Sequence, residues 1–187
     1  MVNKTTITDQ LKNPNALTMS RVLASPLIVL LLIAPLNRFT SLVAVLVFSA
    51  AAITDYFDGF FARKYGQVSG FGKAMDPLAD KFLMAAAFIM LSAQGLIPGW
   101  VVCIIIGREL GVTGLRTILV SQGADISASI WGKWKTGFQI AAVIALLLHY
   151  EYFGINCHQV GLWLLAIAVV LTVGSGVDYY RKARLYF

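Results

Sequence analysis

Residues 54–80 read TDYFDGFFARKYGQVSGFGKAMDPLAD and contain four of the nine acidic residues of the chain. On a helix Asp55, Asp58, Gly59 and Ala62 fall at i, i+3, i+4 and i+7 and share one face. Gly72, Asp76 and Asp80, at i, i+4 and i+8, form a second stripe a short connection later. Carboxylate oxygens with no His or Cys beside them suit Mg²⁺, Mn²⁺ or Ca²⁺ rather than zinc. Four of them can hold one ion or a pair, and a metal pair can clamp a phosphoryl group during its displacement. Gly59, Ala62 and Gly72 leave space for close approach beside the acids. Arg63 lies just beyond them, where a phosphate could meet it. The same spacing also fits structural ion pairs or an ion pathway, and it names no reaction by itself.

The elements that must position these acids are apolar. The chain has 187 residues, 58% of them hydrophobic, with a mean hydropathy of +0.76, well above an ordinary soluble domain. Long apolar runs predict an all-α polytopic membrane protein forming one domain over residues 1–187. Residues 1–16 are read as a cytoplasmic N-terminal segment and 17–182 as a bundle of six transmembrane helices. The spans are expected near Leu17–Leu36, Thr40–Arg63, Gly72–Ala93, Pro98–Val120, Trp131–Tyr150 and Val160–Tyr180, each close to the ~20 residues that cross the hydrocarbon. The first apolar run is longer than a signal-peptide core and is expected to remain as a span. An aspartate at the centre of a span costs about 2.5–3.5 kcal/mol, and four in lipid on the order of 10 kcal/mol. The acids are therefore expected to face a polar cavity near an interface and to share a positive counter-charge. Cys103, in an apolar run, and Cys157, in a connection, give neither a disulfide framework nor a metal spacing.

Charge orients the bundle. With the N-terminus inside, only Arg38 of fifteen Lys and Arg falls on the outer side. That asymmetry predicts that both termini and the aspartate-bearing connection are cytoplasmic. The net charge of +6 is met by an anionic inner leaflet and anionic substrates, and calls for no nucleic acid.

Four basic residues, Arg108, Arg116, Lys133 and Lys135, lie in or near the cytoplasmic halves of the fourth and fifth predicted helices. Arg108 follows the apolar run VVCIII, so its guanidinium is expected to lie deep and to need an anion. Bidentate contact with a phosphate meets that need, and so would an internal acid. Glu109 is next to Arg108 but points elsewhere on an ideal helix. It shares a face with Arg116, seven residues on, and the two could pair. Trp100, Trp131 and Trp163 read as an interfacial belt.

The pattern D-x2-D-G-x2-A-R-x8-G-x3-D-x3-D is filled without a gap by Asp55, Asp58, Gly59, Ala62, Arg63, Gly72, Asp76 and Asp80. It resembles the signature of the CDP-alcohol phosphotransferases. NPNALTMSR at 13–21, GRELGVTGLR at 107–116 and GKWKT at 132–136 are similar to one branch, the phosphatidylglycerophosphate synthases, so that the resemblance covers nearly the whole chain. It implies six transmembrane helices, a homodimer in the cell membrane with its active site toward the cytoplasm, and metal-dependent displacement of CMP from a CDP-linked donor. The metal implied is Mg²⁺ or Mn²⁺, as two ions. For the branch it implies transfer of the phosphatidyl group from CDP-diacylglycerol to sn-glycerol 3-phosphate, giving phosphatidylglycerophosphate and CMP.

By the same resemblance Asp80 is the catalytic base. Asp55, Asp58 and Asp76 are metal ligands, with Asp80 reaching a second ion. Asp55 and Asp58, with Gly59, Ala62, Arg63 and Gly72, shape the CDP pocket. An acceptor that is a phosphate monoester gives Arg108, Arg116, Lys133 and Lys135 their anion. Sibling enzymes that use inositol phosphate, phosphatidylglycerol or serine would share the aspartates, but serine needs no phosphate clamp. A cation transporter is the alternative from another class. Against it, the four acids gather toward one face, with no matching acids across the membrane in helices four to six.

Overall fold

The computed structural model describes residues 14–65, 70–121, 130–152 and 154–184. They fall in two compact units, Met1–Met90 and Leu91–Phe187. The helices are α1 (Pro14–Ile33), α2 (Arg38–Tyr65), α3 (Gly70–Ala93), α4 (Gly99–Ser121), α5 (Ile130–Leu148) and α6 (Cys157–Ala183). A two-stranded hairpin, β1 (Glu151–Tyr152) and β2 (Ile155–Asn156), precedes α6. All six predicted helices are present, with ends moved by up to three residues. Cys157 opens α6 and does not lie in a connection as expected.

Local chemistry sets these ends. α1 stops at Ile33, before the residue that precedes Pro35, a position where helical backbone is disfavoured. Asn37 and Thr40 close a reciprocal cap at the start of α2. The Thr40 amide donates to Asn37 Oδ1 and the Asn37 amide to Thr40 Oγ1, both at 2.9 Å. After α3, Gly95 takes a left-handed φ of 73°. Its amide donates to the Ser92 carbonyl and the Leu96 amide to the Leu91 carbonyl, the paired bonds of a glycine-terminated helix. The hairpin was not predicted. It pairs Glu151 with Asn156 and Tyr152 with Ile155, and Gly154 supplies the positive φ of its turn. Asn156 then caps α6 by accepting from the Gln159 amide.

In the first unit α1 packs on α2. Ser25, Ile28 and Leu32 are buried on α1, and Ser41, Ala44, Phe48 and Ala51 on α2, at the three- and four-residue spacing of one helical face. In the second unit α6 packs against both α5 and α4. Its buried residues are Gly161, Leu165, Ala168, Thr172, Ser175, Tyr179 and Ala183. Alternating steps of four and three over most of this series keep one seam facing its neighbours. Gly161 marks the closest approach: a Cβ placed there would stand 2.7 Å from Leu146 Cγ and 3.0 Å from the Leu146 amide nitrogen. Leu119, Tyr179 and Ala183 form a cluster with Val112 and Leu115 at the other end of α4 and α6.

Among the described residues, α6 is the one helix both long and apolar enough to cross a membrane. Shorter apolar helical stretches cover Leu23–Ile33, Arg38–Thr54, Lys81–Ala93 and Trp134–Leu148.

Candidate functional site

The aspartates lie on two helices, as their spacing predicts. Asp55 and Asp58 belong to α2, ten and seven residues before its end at Tyr65. Asp76 and Asp80 belong to α3, six and ten residues after its start at Gly70. At 1.5 Å per residue, each pair therefore lies roughly 9–15 Å from the end of its helix that faces the 66–69 connection. α2 runs unbroken through Asp55, Asp58, Gly59, Ala62 and Arg63, and α3 through Gly72, Asp76 and Asp80, so each set keeps its helical register. The side chains of these eight residues, and that of Lys133, lie outside the described residues. The donor set itself, all hard carboxylate oxygen, fits a divalent Mg²⁺- or Mn²⁺-type ion.

Arg108 is on α4 and Lys135 on α5. Lys135 is only 5% exposed, and its ammonium is paired with Glu109 Oε1. Arg108 Nη1 stands 3.5 Å from the same oxygen. One carboxylate thus lies between two cations on different helices. This corrects the expectation that Glu109 points away from Arg108; its described partners are Arg108 and Lys135, and the possible pairing with Arg116 is not among them. An arginine is long enough to curl back toward its sequence neighbour, and a buried ammonium needs a counter-charge more than an exposed guanidinium does. Arg116 is on the exposed side of α4.

Arg108 also reaches α6. Its Nη2 donates to Ser175 Oγ at 3.0 Å, and its stem crosses Gly176, where a Cβ would stand 3.1 Å from Arg108 Cγ. Ser175 Oγ donates in turn to the Thr172 carbonyl, so its lone pairs are left to face Arg108. Thr172 repeats the arrangement one turn away. Its hydroxyl donates to the Ala168 carbonyl and accepts from Gln139 Nε2 on α5. Glu109, Gln139, Thr172 and Ser175 were given no site role by sequence reasoning. The readable signal was a stripe of small and hydroxyl residues at helical spacing within an apolar helix, the usual mark of an interhelical seam.

Of the four N–H groups on the two terminal nitrogens of Arg108, two are engaged by Glu109 and Ser175 among the described residues. Among the described residues two cations, Arg108 and Lys135, meet the one carboxylate of Glu109.

The model of the CDP-alcohol phosphatidyltransferase family matches residues 11–174. A Bacillus subtilis protein named CDP-diacylglycerol–glycerol-3-phosphate 3-phosphatidyltransferase is 39% identical, with 90% of this chain and 93% of the relative covered. A Rickettsia typhi protein of the same name is 37% identical over 93% of this chain and 98% of its own length. A Mycobacterium tuberculosis protein named probable phosphatidylglycerophosphate synthase is 40% identical over 90% of this chain and 80% of its own. The ungapped aspartate pattern and this match over most of the chain agree: the chain belongs to the CDP-alcohol phosphatidyltransferase family.

Proposed function

We propose that the protein transfers the phosphatidyl group of CDP-diacylglycerol to sn-glycerol 3-phosphate, releasing CMP and forming phosphatidylglycerophosphate. The observation that carries this reading is the convergence of Arg108 and Lys135 on Glu109 inside an apolar helical unit. Such a cluster suits an acceptor that brings its own phosphate, as glycerol 3-phosphate does and serine does not. The names of the relatives support the same acceptor.

The four aspartates are assigned to the donor. A connection of only four residues, 66–69, between α2 and α3 supports an antiparallel pairing, which would bring their two pairs of carboxylates to one level. In this reading Asp55, Asp58 and Asp76 hold divalent metal, Mg²⁺ or Mn²⁺, with Asp80 able to share a second ion. Gly59, Ala62, Arg63 and Gly72 shape the pocket for CDP. The metal, when bound, neutralises pyrophosphate charge and makes the phosphorus more open to attack. Asp80 accepts the proton of the attacking glycerol hydroxyl as the new P–O bond forms and the bond to CMP breaks. Arg108 and Lys135 hold the acceptor phosphate and so fix the direction of the hydroxyl. Lys133 and Arg116 are assigned to its approach.

The six helices are read as spans of a cell membrane with both termini cytoplasmic, in a homodimeric enzyme. Only 28% of the most apolar stretch of α6 is buried within the protein. Leu30, Leu46, Leu110, Trp100, Trp131, Trp163 and Val170 are all exposed, a surface that lipid accommodates and water does not.

Purified protein in detergent, given CDP-diacylglycerol, Mg²⁺ or Mn²⁺ and a panel of acceptors, tests the reading through CMP release and product identity. Release that requires both glycerol 3-phosphate and metal is expected. Release with inositol phosphate alone would keep the donor chemistry and change the acceptor. Cation flux in liposomes with no lipid turnover would replace the enzyme by a transporter.

A further inference from the structure

Among the described residues, three polar links tie the helices of the second unit into a closed triangle. Glu109 to Lys135 joins α4 to α5, Arg108 to Ser175 joins α4 to α6, and Gln139 to Thr172 joins α5 to α6. Two of the three end on the cations assigned to the acceptor phosphate. The α6 partners are hydroxyls whose own protons are already committed to the α6 backbone, Ser175 to the Thr172 carbonyl and Thr172 to the Ala168 carbonyl. Each is therefore a fixed acceptor, aimed across the interface. A guanidinium whose stem rests on Gly176 and whose Nη2 is held by Ser175 has few rotamers left. An ammonium that is 5% exposed and held by Glu109 has few more.

We propose that Glu109, Ser175 and Gly176 are positioning residues: they hold Arg108 and Lys135 as one preorganised clamp for a phosphate monoester, without touching the substrate. This rests on the acceptor assignment made above and adds to it the part played by α6 and by an internal carboxylate. A long, flexible cation loses less freedom on binding when its orientation is already set. Glu109 also keeps the two cations together before the phosphate arrives. Gly176 is needed because any side chain there would press on the Arg108 stem.

The test uses the full-length protein in detergent, with the KM of each substrate measured separately by CMP release. Ser175→Ala, Gly176→Ala and Glu109→Gln are each expected to raise the glycerol 3-phosphate KM about three- to tenfold, less than the loss of a direct charge-assisted contact, because these residues act only by orienting Arg108 and Lys135. The CDP-diacylglycerol KM should stay within twofold. In an Arg108→Ala background the Ser175 and Gly176 substitutions should add nothing, because they act through Arg108. If Gly176→Ala folds poorly by thermal melting, Ser175→Ala, which removes one hydroxyl and adds no bulk, decides the point.

Unchanged acceptor KM in Ser175→Ala and Glu109→Gln, with Arg108→Ala and Lys135→Ala strongly impaired, would overturn the positioning roles and leave the acceptor assignment standing. Equal effects on both substrates, or the same effect with Arg108 already removed, would reduce these residues to packing. A fall in acceptor KM in Glu109→Gln would make Glu109 a competing anion and overturn its part. Unchanged acceptor KM in Arg108→Ala and Lys135→Ala would remove the acceptor assignment itself, and the proposal with it.

Discussion

Replacing Lys135 by Met separates a structural ion pair from a substrate clamp. Lys135 is almost fully buried and its ammonium is held by Glu109. Breaking a fully buried pair costs about 3–5 kcal/mol when the remaining charge has no other partner. Here the remaining carboxylate keeps Arg108 at 3.5 Å and its side chain is 22% exposed. Interhelical polar contacts in membrane bundles also average only about 0.6 kcal/mol and reach about 1.7. The expected loss of stability is therefore about 1–2 kcal/mol. The loss of one charge-assisted contact to the acceptor phosphate is larger, about 1.5–3 kcal/mol, or 10- to 150-fold in the glycerol 3-phosphate KM. Adding Glu109→Gln removes the stranded carboxylate. Stability, followed by denaturant titration in mixed micelles, should then recover by at least half, while the acceptor KM should not recover. If KM returns toward normal together with stability, Lys135 serves only the fold and the clamp reasoning fails.

Four other outcomes are expected. Asp80→Asn should lower kcat by about 10²- to 10⁴-fold, the range for loss of a general base, in a protein that still elutes and melts like the parent; near-normal turnover would take the base role from Asp80. Chelation should stop CMP release, with Mg²⁺ or Mn²⁺ restoring it and Zn²⁺ failing to, as an all-carboxylate donor set requires; activity that survives exhaustive chelation would contradict the metal assignment. Gly161→Ala should destabilise by about 1–3 kcal/mol, because its Cβ would overlap Leu146. Gly174→Ala, with nothing within 4 Å of its Cβ, should be neutral or stabilising by about 0.5–1 kcal/mol. Equal melting of the two variants would show that α5 and α6 do not meet at Gly161.

Much of the protein was readable from local pattern. Six helices follow from the length of the apolar runs, and the placement of Asp55, Asp58, Asp76 and Asp80 follows from helical period, because both are properties of a segment by itself. Helix ends shifted where capping chemistry decided them, as with Asn156 at the start of α6 and Pro35 after α1. The need of Arg108 for an anion was also legible, because a guanidinium after VVCIII cannot remain unpaired in an apolar surrounding. The identity of its partners was not. Glu109 was expected on the Arg116 side because an ideal helix separates neighbours by about 100°. That rule fixes Cβ directions, whereas long side chains end where the nearest compensating charge lies. The counter-charge that decided the matter, Lys135, comes from another helix, 26 residues along the chain.

The sequence by itself determined the six helices, the two on which the four aspartates ride and the family to which the chain belongs. Only the tertiary structure decided that α6, read as a plain span, supplies Ser175 and Gly176 to Arg108, and that one carboxylate holds two cations. Those contacts depend on which faces of α4, α5 and α6 meet, and that is settled by packing at Gly161 and along the Thr172–Ser175 seam, not by the spacing within any one helix.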